Sequence, residues 1–588
     1  MIPAWLEKRH KFLWDAFHDS PFHFEDAAKI LKEKMQDSEN QINVFLSELR
    51  KRGWLEVEPD KDDARKKIYK LISKEEIISE TLAISKNELT RADLDSLLKA
   101  AADLIRTRVD YTFILLLLFY KRISDKWETE FDKAYKDALA DGLTESEARL
   151  EAKNSIYHDF DISQDLLWEN IRKDPAHLPE NFSRAMKALS ELNPELKDVF
   201  ENVDFVQFTS NRENAEILRQ LVELFSARSL HHVAPDILGD AYEWILKYFA
   251  PQKAKEGEIY TPREVIRLLV EILDPKPGDS VYDPAYGSGG MLITAYQHVE
   301  NEYGKEALNR LFLFGQEVNY KTLALSKMNL YIHDIRNAQV AQGDSLLYPK
   351  FKDKEGLKKF NVVIANPPWN QDGYDEETLK KGEFWKERFE YGFTPRQSAD
   401  WAWIQHMLAS ADGKDGRVGV VIDNGCLFRG GKEKAIRSAV VSADRIEAVI
   451  LLPEKLFYNT GAPGAILILN KNKPADRKGK VLFINASQEY QQHPDVRKLN
   501  QLADSNIDKI VKAYREFKEI NGFSRIVGYD ELKDNDFNLN VTLYVFPEEE
   551  TENIDVLKEW EELRHLEKEI SETEAKIENY LKEIYQEE

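Results

Sequence analysis

The chain has 588 residues, 42% of them hydrophobic and 32% charged, with 82 basic against 105 acidic side chains and a net charge of -23. This length exceeds a single hydrophobic core and predicts three or four units, while the composition excludes a disordered or fibrous chain. The acidic balance opposes non-specific attraction to phosphate backbones, so contact with DNA requires local basic patches or a basic partner. The single cysteine, Cys426, excludes an internal disulfide and a cysteine-based zinc site, and the twelve histidines show no HxxxH or HExxH spacing; no structural metal is expected. The start, MIPAWLEKRHK, lacks the layout of a secretion signal, and with one cysteine this predicts a cytoplasmic protein.

Residues 1–75 read as a small winged-helix-like extension. FEDAAKIL predicts one helix, and SENQINVFLSELRKRG a second, with a Ser38/Gln41 capping box, Ile42, Phe45, Leu46 and Leu49 on one face, and Gly53 as the stop. WLEVEP and KKIYKLI alternate around the polar DKDDAR, as hairpin strands do. Asn40, Asn43, Arg50 and Lys51 then lie on the polar side of a helix that enters a DNA groove in some winged helices. A solvated face on a protein-binding module is the equal alternative.

Residues 80–250 predict helix throughout. TFILLLLF at 112–119 is too short to span a bilayer and reads as one buried helix, followed by a charged amphipathic stretch near 126–153 and by DILGDAYEWILKYFA at 236–250. From 251 to 545 the pattern changes. DSVYD, LFLFGQE, AQVAQGD, FNVVIAN, GRVGVVID, RIEAVILL and AILILN are β-rich runs separated by helical segments, which predicts an open, mostly parallel α/β sheet covered on both faces. In the last stretch, 550–588, Val556, Leu563, Ile570, Ile577 and Ile584 recur every seven residues beside a weaker row of Leu566, Thr573 and Tyr580. This predicts a coiled-coil-like helix, a docking element for a partner.

Ligands of such sheets sit beyond the carboxyl ends of the strands. In VYDPAYGSGGML, Gly287, Ser288, Gly289 and Gly290 follow a strand directly, so backbone N–H groups can approach a ligand at a helix start. Leu292 stands where the dinucleotide fingerprint needs its third glycine, and Asp283 before the turn suits a cation rather than a pyrophosphate. Glu317 ends the next strand, where an acid can accept both hydroxyls of a ribose, and Asp344 in AQGDSL can accept from an adenine amine. Either acid alone is more often a helix cap.

The fourth strand end is NPPW. Pro367 and Pro368 donate no N–H and hold the chain extended outward from the sheet, so the amide oxygen of Asn366 and a neighbouring carbonyl can converge on one amino group, with the flat ring of Trp369 beside them. Two acceptors on a ring-conjugated NH2 favour a pyramidal nitrogen and free its lone pair as charge develops. The chemistry is an in-line displacement on the methyl of a sulfonium, without metal or covalent nucleophile. A base in a duplex must be flipped out to reach such a site, and stacking on Trp369 offsets part of that cost.

The order GEIYTP, DPAYGSGG, GQEVN, GD, NPPW resembles the amino-methylating DNA methyltransferases that use S-adenosylmethionine. DWAWIQHML, GRVGVVIDNGCLFRGG, RIEAVILLPEKLFYNTGAPGAILILNK and DFNLNVTLYV extend the likeness, over about 80–588, to the modification subunit of type I restriction-modification systems. The resemblance implies a Rossmann-like methyltransferase domain behind a helical N-terminal domain, and methylation at N6 of a flipped adenine. It assigns Tyr260, Thr261 and Pro262 to the methionine part of the cofactor, Asp283, Gly287, Ser288 and Gly289 to the loop beneath it, Glu317 to the ribose, Asp344 to the cofactor adenine, and Asn366, Pro367, Pro368 and Trp369 to catalysis. It implies a separate specificity subunit that chooses the DNA site, two modification subunits for each specificity subunit, and room for a restriction subunit, with no membrane association. Tyr286 departs from the family, which usually has a smaller residue there, and so does the front end.

N4-cytosine methylation uses the same physics, although such enzymes more often carry serine in place of Asn366. C5-cytosine methylation needs a cysteine nucleophile, and Cys426 in GCLF lacks the usual neighbouring proline. Protein glutamine methylation shares an NPP motif but uses much smaller enzymes. The alternative from another class is a non-catalytic winged-helix regulator on a scaffold methyltransferase fold; intact Asn366, Pro367, Asp283 and Glu317 argue against it.

Overall fold

A computed structural model describes residues 4–18, 20–35, 55–59, 67–71, 91–105, 111–200, 205–227, 261–354, 356–457, 460–493, 496–546 and 556–584, with isolated positions at 37–49 and 230–248. The chain divides into two compact units, one of residues 1–248 with 331–334 and one of 249–330 with 335–588. Among the described residues no helix is long and apolar enough to cross a membrane, and no cluster of three metal-binding side chains occurs.

The first unit begins with helix α1 (Ala4–Phe17), a two-residue strand β1 (Phe22–His23), helix α2 (Phe24–Met35), and strands β2 (Leu55–Pro59) and β3 (Lys67–Leu71). The strands form an antiparallel sheet in the order β1-β3-β2, with Val57 opposite Tyr69. The Ser38 N–H donates to Gln41 Oε1 at 2.8 Å and the Gln41 N–H to Ser38 Oγ at 3.4 Å, so the capping box forms. Ile42, Phe45, Leu46 and Leu49 are buried with Leu13, Leu31, Leu55 and Leu71 in one core. Asn40, Asn43, Arg50, Lys51 and Gly53 lie outside the described residues, and α1 had no counterpart among the predicted elements.

The rest of this unit is helical where described. TFILLLLF opens a 29-residue helix, α3 (Thr112–Ala140), in which Ile114 to Phe119 are all buried. The same helix continues through the charged stretch and ends at Ala140, and a separate helix at Glu145–Glu151 starts behind a Thr144/Glu147 capping box. A buried Lys121–Asp125 ion pair, one turn apart, sits beneath Trp168, and Asp125 Oδ2 also accepts from the Leu230 N–H at 2.7 Å. Most of the helix expected at 236–250 falls outside the described residues.

The second unit is built on a nine-stranded sheet. In chain order the relevant elements are α4 (Arg263–Leu273), β4 (Ser280–Asp283), α5 (Gly290–Tyr303), β5 (Phe312–Glu317), β6 (Gln339–Gln342), β7 (Val362–Ala365), α6 (Asp400–Ser410), β8 (Arg417–Asp423), α7 (Gly431–Ser442), β9 (Ile446–Leu451), β10 (Gly464–Asn470) and β11 (Lys480–Asn485). The two-residue strands β12 (Gln491–Gln492) and β13 (Asn500–Gln501) pair with each other, and α8 (Asp504–Glu516), β14 (Ser524–Gly528) and α9 (Val556–Ile584) complete the chain. The strand order is β14-β11-β9-β10-β8-β7-β4-β5-β6.

Alternate side chains enter two cores. Val362 and Ile364 join α4, α5 and α8 on one face, while Val363 and Ala365 join α6 and α7 on the other. Both faces are covered, so the strand reads as an uninterrupted apolar run instead of alternating with polar residues. The sheet is mostly parallel, as expected, but not wholly: β10 runs antiparallel to both β8 and β9, and β14 antiparallel to β11. Among the described residues between β9 and β10 there is no helix to carry a crossover, and β10 returns as a hairpin partner. β11 and β14 were not among the predicted strands.

Strands β6, β5, β4, β7 and β8 are mutually parallel, so their carboxyl ends share one edge. The chain runs outward from β4 to β5 and β6, then returns to the other side of β4 as β7. The gap between β4 and β7 is therefore the topological switch point where open sheets bind ligands.

Candidate functional site

The glycine turn and the NPPW segment leave adjacent strands at that switch point; Val281 pairs with Val362 and Tyr282 with Val363. The strands that lead into the turn at 287–290 and into residue 366 are therefore hydrogen-bonded neighbours.

The turn owes its shape to a buried ring. Gly287 and Gly289 have left-handed φ values of 51° and 85°, a region open to glycine at little cost. A Cβ at Gly289 would stand 2.7 Å from Tyr286 Oη, and one at Gly315 on β5 would stand 2.7 Å from the same ring. Tyr286 itself is 2% exposed. Tyr286 thus points beneath the turn, and two glycines make the space. The buried amide of Asn329 donates to the Ser288 carbonyl at 3.0 Å and fixes the turn from the helix at Tyr320–Ile332.

Three acids surround this turn. Glu317 Oε2 accepts from the Gly287 N–H at 2.9 Å and Oε1 from the Asn319 N–H at 2.8 Å, which ties the end of β5 to the turn. Asp283 is 1% exposed, and its Oδ1 accepts from the Ala285 N–H at 3.0 Å. Burial raises its carboxyl well above the usual range, Glu317 adds to the rise, and the Ala285 bond opposes it. Asp344 caps its own turn, with Oδ1 accepting from the N–H groups of Leu346 and Leu347, while Oδ2 accepts from the Tyr374 hydroxyl at 2.8 Å. The cap role expected of such an acid is realised, and one carboxylate oxygen is shared with the segment downstream of NPPW.

On the other strand, Pro367 is buried, Pro368 exposed, and Asn366 and Trp369 half-buried. Trp369 Nε1–H donates to Asn366 Oδ1 at 2.9 Å, and Asn366 Nδ2 donates to Thr261 Oγ1 at 2.8 Å. An indole N–H can only donate, so it decides which end of the amide is oxygen. A carbonyl oxygen has a second lone pair, so Oδ1 can still accept from a target amine. The Trp369 ring meets Phe457 edge-on with centroids 4.8 Å apart, and a Cβ at Gly464 would come within 3.0 Å of it. Of the predicted residues, Tyr260 lies outside the described ones, Pro262 precedes the first turn of α4, and the other eleven lie at the carboxyl edge.

Sequence reasoning assigned no role to Asn329, Phe457, Gly464 or Arg429. The last is a guanidinium with partners on four segments: Asn370 Oδ1, Asp400 Oδ2, Asp423 Oδ2 and Glu433 Oε2. Nothing in their spacing links residues so far apart, although GCLFRGG is notable for its paired glycines beside a charge.

Two carboxylates at successive strand ends, a glycine turn and a buried acid suit a ligand with ribose hydroxyls, an adenine amine and a positive charge. A fold and site of this kind define an S-adenosylmethionine-dependent methyltransferase acting on an amino group. The family model described as "N-6 DNA Methylase" matches residues 233–553, and that of the "HsdM N-terminal domain" matches 94–225. The chain is 45% identical to the type I restriction enzyme MjaVIII methylase subunit of Methanocaldococcus jannaschii, over 98% of this chain and 97% of the relative, and 44% identical to the MjaVII subunit of the same organism, over 99% and 98%. A crystal structure of the type I restriction-modification methyltransferase subunit from Streptococcus thermophilus superposes with a TM-score of 0.68 at 26% identity, covering 78% of this chain and all of that one. The chain belongs to the methylase subunits of type I restriction enzymes. It is an adenine-specific DNA methyltransferase, and its methyl donor is S-adenosylmethionine.

Proposed function

We propose that Asn366 and the Pro367 carbonyl accept the two hydrogens of a flipped adenine N6, in a catalytic segment completed by Pro368 and Trp369. The observation that carries this reading is the amide of Asn366, held at the switch point between Trp369 Nε1–H and Thr261 Oγ1, with no second donor to Oδ1 among the described residues. When bound, the cofactor supplies an electrophilic methyl on a sulfonium. Thr261 and Pro262, with Tyr260 before them, hold its methionine part; Asp283, Gly287, Ser288 and Gly289 lie beneath it; Glu317 takes the ribose and Asp344 the adenine. Asn366 and Pro367 orient the target nitrogen and, as its lone pair is withdrawn from the ring, stabilise the developing charge. Trp369 holds the amide by its edge and offers its face to the flipped base.

Residues 80–250 serve as the helical domain of a modification subunit and 251–545 as its methyltransferase domain. The helices and three-stranded sheet of residues 1–75 support a winged helix in front of them. A partner that reads the DNA sequence accounts for an acidic chain that acts on DNA. We assign that role to a specificity subunit shared by two copies of this chain, with a restriction subunit as a further member. In α9, Leu563, Leu566, Ile570 and Ile577 are each about half exposed, which supports a coiled-coil-like docking element.

One assay tests the reading. Transfer of labelled methyl to DNA, measured with and without the specificity subunit, should fall at least ~100-fold in Asn366→Ala, while cofactor binding persists. Deleting 553–588 should abolish the complex and leave cofactor binding intact. Full transfer by Asn366→Ala would remove the catalytic assignment, and an undiminished complex would remove the docking role of α9.

A further inference from the structure

The segment that leaves NPPW is held by one side chain. Asn370, next after Trp369, has a left-handed φ of 52°, which asparagine tolerates better than most residues. Its N–H donates to Asp400 Oδ1 at 2.9 Å and its Nδ2 to Asp423 Oδ2 at 3.3 Å, while its Oδ1 accepts from Arg429. The same guanidinium reaches Asp400 at the start of α6, Asp423 at the end of β8 at 3.2 Å, and Glu433 in the first turn of α7 at 2.8 Å. Asp400 and Glu433 are each 3% exposed, and Glu433 Oε1 accepts from Ser398 Oγ at 2.9 Å. A Cβ at Gly425 would lie 2.7 Å from Asp423 Oδ2 and 3.4 Å from Arg429 Nη1, so this glycine leaves room for the cluster.

Three carboxylates around one cation make a poor stabilising device, because burial penalises each charge. A planar fork that joins two helix starts, a strand end and the exit of NPPW is, in contrast, an effective positioning device. We propose that Arg429 is a positioning residue for methyl transfer: through Asn370 it sets the exit of the NPPW segment and so keeps Asn366 in place under the target amine. The proposal rests on the reading of Asn366 given above.

The test uses the assembled complex with the specificity subunit and compares Arg429→Lys, Asn370→Gly, the double variant and Asn366→Ala. Lysine keeps the charge beside the buried acids but loses the fork, and glycine keeps the left-handed backbone but loses the side chain. Each single variant should lower kcat about 10- to 100-fold, the scale of a small misplacement of reacting groups, with KM for the cofactor within about 2-fold. The double variant should be no slower than the slower single one, because both changes cut one linkage. An unchanged kcat in both single variants, or fully multiplicative losses, would overturn the role of Arg429 while Asn366→Ala stays inactive. If Arg429→Lys fails to bind cofactor, Asn370→Gly alone decides, its unchanged kcat overturning the proposal. An active Asn366→Ala would instead overturn the underlying reading of the site.

Discussion

The turn after β4 and the exit after β7 lie side by side on the same sheet edge, yet they are held by different means. The first is shaped from below by the Tyr286 ring, with glycines at 289 and 315 yielding space to it, and is tied in by Glu317 and Asn329. The second is held by polar side chains: Thr261 and Trp369 on Asn366, then Asp400, Asp423 and Arg429 on Asn370. In the proposed reading, packing defines a cradle that must fit one cofactor, whereas directional hydrogen bonds define where a single oxygen points. Damage to the turn should therefore appear mainly in cofactor affinity and stability, and damage to the exit in kcat.

The sharpest attempt to break this contrast is Gly315→Ala. Its Cβ would enter the Tyr286 ring, and overpacking of this kind costs about 1–3 kcal/mol. Thermal unfolding and cofactor titration should show a lower melting temperature and weaker binding, both partly restored by Tyr286→Ala in the same chain. Unaltered melting and affinity would mean that the ring is not a fixed prop.

Trp369→Phe is gentler. It keeps an aromatic ring against Phe457 but removes the N–H on Asn366, a bond worth about 0.5–1.5 kcal/mol. Steady-state kinetics should give a kcat about 3- to 10-fold lower with unchanged cofactor affinity. A loss confined to cofactor KM would erase the distinction between the two loops.

The smallest effect concerns Asp283. Burial and the charge of Glu317 raise its carboxyl well above the ordinary value of 3.8. The folded state then binds the proton more tightly than the unfolded chain. Stability from this group is complete below the unfolded value, about 3.9, and is lost as pH rises toward the folded one. Asp283→Asn should therefore melt higher than the parent at pH 7, with the difference closing toward pH 4, while its cofactor affinity falls. A variant less stable at every pH would show that the carboxylate is satisfied where it stands.

Much of the site was legible because its chemistry is local. Asp283, Glu317 and Asp344 each follow a short β-rich run, and NPPW follows VVIA, so residue type and strand end could be read together. Tyr286 was legible only as an exception, since its direction depends on Gly315, a residue on the neighbouring strand. The antiparallel course of β10 was not legible, because AILILN is equally apolar in either orientation once both faces are covered. Trp369 was read as a flat surface; its edge-on contact with Phe457 and its bond to Asn366 emerged from packing.

Side-chain identity and strand rhythm in the chain alone were enough to predict a covered sheet and to put acids, glycines and an amide at its strand ends, because these depend on residues within a few positions of one another. The tertiary structure decided which partners hold those groups. Arg429 stands 59 positions from Asn370 and Thr261 stands 105 from Asn366, and contacts across such separations follow from how the strands are ordered and how helices pack on them, which no local pattern encodes.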